Sequence, residues 1–587
     1  MLKQVKLIAN LLILFTISLT AQTINLKFIE TSDVHGSIFS YDLRNDRPSN
    51  SSLAQVMTYL RQERAKDDQH IIFLDNGDIL QGDPIVYYYN FEKSGTTHLY
   101  ADVMNYMQYD AATVGNHDIE TGHDVYDKFK DELNFPWLAA NAVSTSDGKP
   151  YFKPYTMIEK AGVRVAVLGL ITPNIPNWLP EKIWEGMEFH DMIESAKKWV
   201  KEIKLREQPD MIVGVFHAGV DFTYGGQNAE SYKNENASRL VAEQVPGFDI
   251  IFVGHDHAGW NFTVKNSDGK DVLILGALAG AQTVAVANLT MTFDKICELW
   301  SIDAIEGEIV NIKEYAVDED FMNRFSPALE EAKQYVNRKI GEFDKTISSR
   351  DAVLGPAEFT DVVHEIQLQL TGADISFTAP LAMNTQIKAG DVFVRDMFNL
   401  YRYENLLYTM TLSGEEIKKY LEYSYSNWFN HMKDENDNLL KFKKDDAGNI
   451  VYSERSKSPE LEERFYNFES AAGINYVVDV SKPEGERVTI TGLSDGNNFD
   501  MDRTYKVAIN SYRGNGGGGH LTRGAGIPRE ELSNRVLDST DKDLRFYMMK
   551  WIEKQSKVTP PLFNNWKVVP EDWWQKGKEK DYKILFN

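Results

Sequence analysis

Residues 111–118 read Ala-Ala-Thr-Val-Gly-Asn-His-Asp, a short apolar run that ends in a glycine and three polar side chains. The pattern recurs along the first half of the chain. Residues 26–31 lead into Asp33-Val34-His35, residues 71–75 into Gly77-Asp78, residues 211–216 into His217, and residues 249–253 into Gly254-His255-Asp256-His257. With residues 163–172, these runs are brief and rich in Val, Ile and Phe, as strands buried on both faces are. Between the first two, Leu53, Val56, Met57 and Leu60 recur at i, i+3, i+4 and i+7, one face of a helix. Such alternation predicts an α/β layered architecture over roughly residues 25–304. Ligand sites in open α/β sheets gather at the carboxyl ends of strands. The five polar tips are therefore expected to converge.

The residue types at those tips suit metal chemistry. Imidazole and carboxylate together bind Zn, Mn, Fe or Ni. Asp33, His35, Asp78, Asn116, His217, His255 and His257 form a candidate set of seven ligands. That number serves two ions when one carboxylate bridges, and an ion pair about 3.5–4 Å apart clamps both oxygens of a phosphoryl transfer. Singly, each piece has a blander reading. Gly-Asp is usually a turn, a strand-end histidine is commonly a hydrogen-bonded core residue, and His255 and His257 would simply alternate across a strand end. Their order behind successive strand-like runs argues for a shared site. Glycines before Asp78, Asn116 and His255 are expected to permit tight turns. His70, His98, His123, His190, His364 and His431 lack this context and read as surface or structural.

The order Asp-x-His, Gly-Asp, Gly-Asn-His-Asp, His, Gly-His-x-His resembles the calcineurin-like metallophosphoesterases. The whole mature chain is similar to their nucleotidase branch, nearest to the periplasmic 2′,3′-cyclic-nucleotide 2′-phosphodiesterase/3′-nucleotidases. Residues 393–405, 413–424, 465–480 and 509–517 carry that second resemblance. It implies an α/β fold (α+β overall): a four-layer β-sandwich flanked by helices, a helical linker, and a C-terminal mixed α/β nucleotide-binding domain. It implies one divalent metal held by Asp33, His35, Asp78 and His257. The other would sit on Asp78, Asn116, His217 and His255. His117 would face the phosphate. In the 5′-nucleotidases an Asp orients that histidine; here the position is Glu120, and Asp118 is the alternative partner.

The resemblance also places Tyr403 and Tyr512 around a nucleobase and Asn405 at its edge. Aromatic stacking contributes roughly 1–3 kcal/mol per base and discriminates little among bases. The Gly-rich run 513–519 is not a phosphate loop, because 521–528 does not open a helix. It reads as backbone passing close to a ligand, with a flexible turn as the alternative. The Gly-Gly-Ile-Arg signature of 5′-nucleotidases is replaced by residues 379–384, and their Asp after the second aromatic is Gly518. Both departures favour the cyclic phosphodiesterase/3′-nucleotidase activity. The alternatives are a 5′-nucleotidase or nucleotide-sugar hydrolase and a non-catalytic nucleotide-binding protein on the same fold.

Composition bounds the rest. A 587-residue chain exceeds a single core, so several domains are expected. Residues 1–21 read as a signal peptide, 22–317 as the metal domain, 318–345 as a linker helix and 346–587 as the substrate domain. The linker's apolar residues stand at 321, 325, 329, 332, 336, 340 and 343. The apolar run after Lys3 and Lys6 falls short of the roughly 20 residues that span a bilayer, so cleavage and export are expected, with no span afterwards. A net charge of −24 argues against nucleic-acid duplex binding and leaves a small nucleotide substrate open. The lone Cys297 excludes an intrachain disulfide and is expected to be packed. Residues 433–463, charged and polar, read as a surface loop.

Overall fold

The strand-like runs pair into two six-stranded sheets. In a computed structural model, which describes residues 22–453 and 457–586, the first sheet runs in the order Leu299–Asn311, Thr283–Asp294, Gln22–Thr31, Gln69–Asp75, Ala111–Thr113, Trp137–Leu138. The second runs Trp260–Lys265, Asp271–Gly276, Ile250–Val253, Met211–His217, Val163–Ile171, Tyr155–Lys160. The central neighbours are parallel; antiparallel strands close both edges of the second sheet and one edge of the first, whose other edge, Trp137–Leu138, is parallel. The expected signal peptide lies outside the described residues.

Side-chain alternation explains the layering. Val165, Val167, Val213, Val215 and Phe252 point between the sheets, where they meet Phe28, Ile72 and Leu74. Their neighbours Ala166, Leu168, Ile212 and Phe216 point outward, under the helices Met192–Arg206 and Ser238–Gln244. Helices Leu53–Arg64, Leu99–Met107 and His123–Glu132 cover the other sheet. Leu53, Val56, Met57 and Leu60 all face that core. Burying each such Val, Leu or Phe contributes about 1.5–3 kcal/mol. Four layers result: helices, sheet, sheet, helices.

The helix Glu319–Val336 follows, capped by the Asp318 carboxylate, which accepts from the Phe321 N–H. It is shorter than the apolar spacing suggested. Ile340 and Phe343 lie on the strand Lys339–Phe343 instead, where they still face a core. Beyond it a five-stranded sheet orders Ser470–Ala472, Ile375–Thr378, Thr504–Asn510, Leu406–Ser413 and Val536–Asp543, with a hydrophobic cluster on either side. A capping box of Ser413 and Glu416 opens the helix Gly414–Trp428.

Two expectations need correction. Cys297 is exposed. It falls beyond the paired part of the hairpin, in a turn where Asp294 Oδ1 accepts from the Ile296 and Cys297 N–H groups. The segment 433–463 is not loop throughout, since isolated bridges pair Phe442 with Leu461 and Lys444 with Ile450, while Leu439, Leu440 and Phe442 are buried.

The two halves touch through polar contacts. Tyr87 Oη donates to Asp543 Oδ2 at 2.9 Å, Lys182 Nζ to the Thr540 carbonyl at 2.8 Å, and Asn399 Nδ2 to the Arg44 carbonyl at 3.1 Å. Among the described residues no helix is long and apolar enough to cross a membrane.

Candidate metal centre

Both sheets contribute to one site. Asp33 and His35 follow Gln22–Thr31, Asp78 follows Gln69–Asp75, and Asn116 follows Ala111–Thr113 in the first sheet. His217 ends Met211–His217, and His255 and His257 follow Ile250–Val253 in the second. Asn76 ties the two sheets together at this end. Its side chain donates to the Phe216 carbonyl at 3.1 Å, and its own carbonyl accepts from His217 Nδ1 at 2.6 Å.

The side chains gather in two groups. One ligand atom from each of Asp33, His35, Asp78 and His257 falls within 4.8 Å of the others, and the same holds for Asp78, His217 and His255. Asp78 belongs to both. Asn116 Oδ1 joins the second group, 2.8 Å from His255 Nδ1 and 3.1 Å from His217 Nε2.

The donor set fits divalent cations for a reason visible in the hydrogen bonds. A carbonyl oxygen only accepts, so His217 Nδ1 carries its proton toward Asn76. Neutral His217 then turns a bare Nε2 lone pair toward Asn116 Oδ1 and, at 3.2 Å, Asp78 Oδ2. His35 repeats the device. Its Nδ1 donates to the Gln81 carbonyl at 3.0 Å, and its Nε2 faces His257 Nε2 at 3.0 Å. Around neutral His217, electron-rich atoms thus face one another and call for positive charge between them. The surroundings set the charge of the two rings in opposite directions. Burial and the neighbouring His257 push His35 down to about 4, which leaves it neutral, the form that binds metals. Burial opposes charge on His217, but Asp78 overcomes it and lifts His217 to about 10. A proton there supplies what a cation would.

Backbone strain collects at the same place. Asp33 (φ 49°), His35 (φ 50°), Asp78 (φ 58°), His255 (φ 74°) and His257 (φ 58°) all adopt left-handed conformations. Each costs an L-residue about 1–2 kcal/mol, and such strain clusters where function requires it. The preceding glycines serve two purposes. Gly77 has φ 84°, as a tight turn requires. Gly115 has φ −99° and needs no special conformation. A Cβ there would overlap Asp78 Oδ1, so what it supplies is room. Gly254 likewise leaves space for Ser32 and Asp33.

His117 lies beside the bridging position. Its backbone N–H donates to Asp78 Oδ1 at 2.8 Å, and its ring Nδ1 is 2.5 Å from Glu120 Oε2. Asp118 is occupied elsewhere. Its two oxygens accept from the Asp78, Ile79, Leu80 and Gly115 N–H groups at 2.7–3.0 Å, bracing the Asp78 turn. Burial would lower His117, but the carboxylates of Asp78 and Glu120 outweigh it and raise the imidazole to about 9.

In the C-terminal half, Tyr403 stands edge-on to Tyr466 at 6.1 Å. Tyr512 backs onto Gly517, where a Cβ would come within 2.5 Å of its ring. Asn405 is 7% exposed. The Gly-rich run wraps the buried Arg513, whose guanidinium donates to the Gly517 and Tyr466 carbonyls and to Glu469. A single wide helical turn, His520–Gly524, does follow it. Tyr466, Arg464 and Glu235 were not singled out from the sequence. Arg464 donates to Tyr466 Oη at 3.1 Å, and Glu235 Oε1 lies 3.3 Å from His255 Nε2.

A calcineurin-like phosphoesterase model matches residues 26–259, and a 5′-nucleotidase C-terminal domain model matches residues 339–523. The chain joins a calcineurin-like phosphoesterase domain to a 5′-nucleotidase C-terminal domain. Among curated relatives it is 26% identical to the trifunctional nucleotide phosphoesterase protein YfkN of Bacillus subtilis over 94% of its own length, and spans only 39% of that protein. It is 24% identical to the 2′,3′-cyclic-nucleotide 2′-phosphodiesterase/3′-nucleotidase of Yersinia enterocolitica, covering 96% of this chain and 91% of the relative. In fold it is similar to a putative 5′-nucleotidase from Staphylococcus aureus, with a TM-score of 0.74 at 23% identity over 93% of this chain and 99% of that one. Calcineurin-like phosphoesterases use two divalent metals, and the phosphoesterase domain has Asp/His clusters able to hold them.

Proposed function

We propose that this chain is a two-metal hydrolase of nucleotide phosphoesters, opening 2′,3′-cyclic nucleotides to 3′-nucleotides and then releasing nucleoside and phosphate. The observation that carries the reading is the shared carboxylate: Asp78 belongs to both clusters of inward-facing ligand atoms, with His117 hydrogen-bonded beside it. Asp33, His35, Asp78 and His257 would hold one cation, and Asp78, Asn116, His217 and His255 the other. A bound pair supplies Lewis-acid charge to the phosphoryl oxygens and lowers the pKa of water.

The chain's own groups orient the substrate and move the proton. Glu120 engages His117 Nδ1, which leaves Nε2 to donate to a phosphoryl oxygen or to the departing ribose oxygen. Tyr403 and Tyr512 stack the base, and Asn405 meets its edge. The domain limits 22–317, 318–345 and 346–587 belong to the same proposal, as does export of the mature chain after loss of residues 1–21.

The Yersinia relative supports the cyclic and 3′ specificity, as does Gly518 in place of an aspartate. The contact between His117 and Glu120 supports a second reading, a 5′-nucleotidase or nucleotide-sugar hydrolase, because the longer carboxylate still reaches the imidazole. Rates on 2′,3′-cyclic AMP, 3′-AMP and 5′-AMP, with and without EDTA, separate the two. Turnover of the first two, abolished by EDTA and far above that of 5′-AMP, is expected. The reverse order would move the assignment to the second reading. Inactivity of metal-loaded protein on all three would sink both.

A further inference from the structure

Glu235 sits in the irregular stretch between the strand ending at His217 and the helix Ser238–Gln244. Both of its carboxylate oxygens are directed. Oε1 lies 3.3 Å from His255 Nε2, and Oε2 accepts from Asn174 Nδ2 at 3.2 Å. Its backbone is held too, since the carbonyl accepts from Thr172 Oγ1 at 3.1 Å. An ionised carboxylate offers only acceptors. The contact therefore calls for a proton on His255 Nε2, and in the neutral ring that leaves the lone pair on Nδ1, the atom 2.8 Å from Asn116 Oδ1. Trp178 stacks on the same ring, 5.5 Å away at 22°, and limits its rotation. Asn515 of the C-terminal half donates to the Trp178 carbonyl at 3.3 Å.

We propose that Glu235 is a positioning residue for the second metal position, fixing the tautomer and ring angle of His255 so that Nδ1 is presented as a ligand. The inference rests on the two-metal reading above and adds a residue to it. A carboxylate behind a ligating histidine is a common way to set ring orientation and basicity, and its loss typically weakens metal affinity 10–100-fold.

The test is Mn²⁺ titration of the full mature chain, stripped of metal, as wild type, Glu235→Ala, Glu235→Gln and His255→Ala. Glu235→Ala is expected to keep one site at wild-type affinity and weaken the other by about ten- to hundredfold. Glu235→Gln still offers an oxygen to the Nε2–H and should stay within about threefold of wild type. A role in packing alone would not weaken one site while leaving the other at wild-type affinity. Wild-type affinity at both sites in Glu235→Ala, beside loss of one site in His255→Ala, overturns the proposal. If His255→Ala also titrates like wild type, the two-metal reading itself falls and takes the proposal with it.

Discussion

At residue 115 there is no room for a methyl group. A Cβ on Gly115 would overlap the Asp78 carboxylate, the one side chain common to both ligand groups. The backbone there already has φ −99°, so alanine adopts it freely and only the collision remains. Gly115→Ala should therefore displace Asp78 while leaving the rest of the fold in place. We expect loss of at least about a hundredfold in phosphoesterase turnover, the scale on which a small misplacement in an active site acts. Circular dichroism should stay near wild type. Near-normal turnover would show that Asp78 does not need its present position.

The helix Glu358–Thr371 provides the test at the scale of an element. Its His364 is fully buried and bridges two strands, with Nδ1 2.9 Å from Ser376 Oγ and Nε2 3.1 Å from Ser470 Oγ. Burial lowers it to about 3, from an ordinary value of 6.5. The folded state holds this ring neutral while the unfolded chain takes up a proton below about pH 6.5. Its contribution to stability is therefore intact above that pH and lost progressively toward pH 3. At pH 5 the loss is about 2 kcal/mol. His364→Gln cannot titrate, so its unfolding free energy should fall less between pH 7 and pH 5, by that amount. Equal pH dependence of variant and wild type in urea titrations would refute the assignment.

The same scale shows what could be read in advance. Strands, and the gathering of the candidate ligand motifs at one end of them, were legible because each polar tip follows a buried run whose alternation fills both sides of a sheet. The end of the helix Glu319–Val336 was not. Val336, Ile340 and Phe343 keep a helical spacing, yet a strand can bury Ile340 and Phe343 equally well. Glu235 was invisible for a related reason. It stands in a segment with no periodicity, and only the fold carries it across to His255. Tyr466 likewise meets Tyr403 through tertiary packing, with 62 residues of chain between them. The glycines were placed correctly, but two of the three provide clearance where a turn was expected.

For the whole molecule, metal and stability are linked. Left-handed candidate ligands and buried carboxylates are costs that a bound cation would offset, and a ligand held at a hundred times its Kd stabilises the folded state by about 2.7 kcal/mol. EDTA should lower the thermal unfolding midpoint by several degrees, and Mn²⁺ should restore it. An unchanged midpoint by calorimetry would mean that no resident ions support the fold. The contacts from Tyr87 to Asp543 and from Asn515 to Trp178 cross between the halves, so the response should reach both.

The exposed turn at Cys297 offers a practical return. It carries the only thiol in the chain, so a maleimide dye attaches at a single defined point without any engineering. Conjugated protein then reports its tumbling and its encounters from one fixed address, the tip of the hairpin formed by Thr283–Asp294 and Leu299–Asn311.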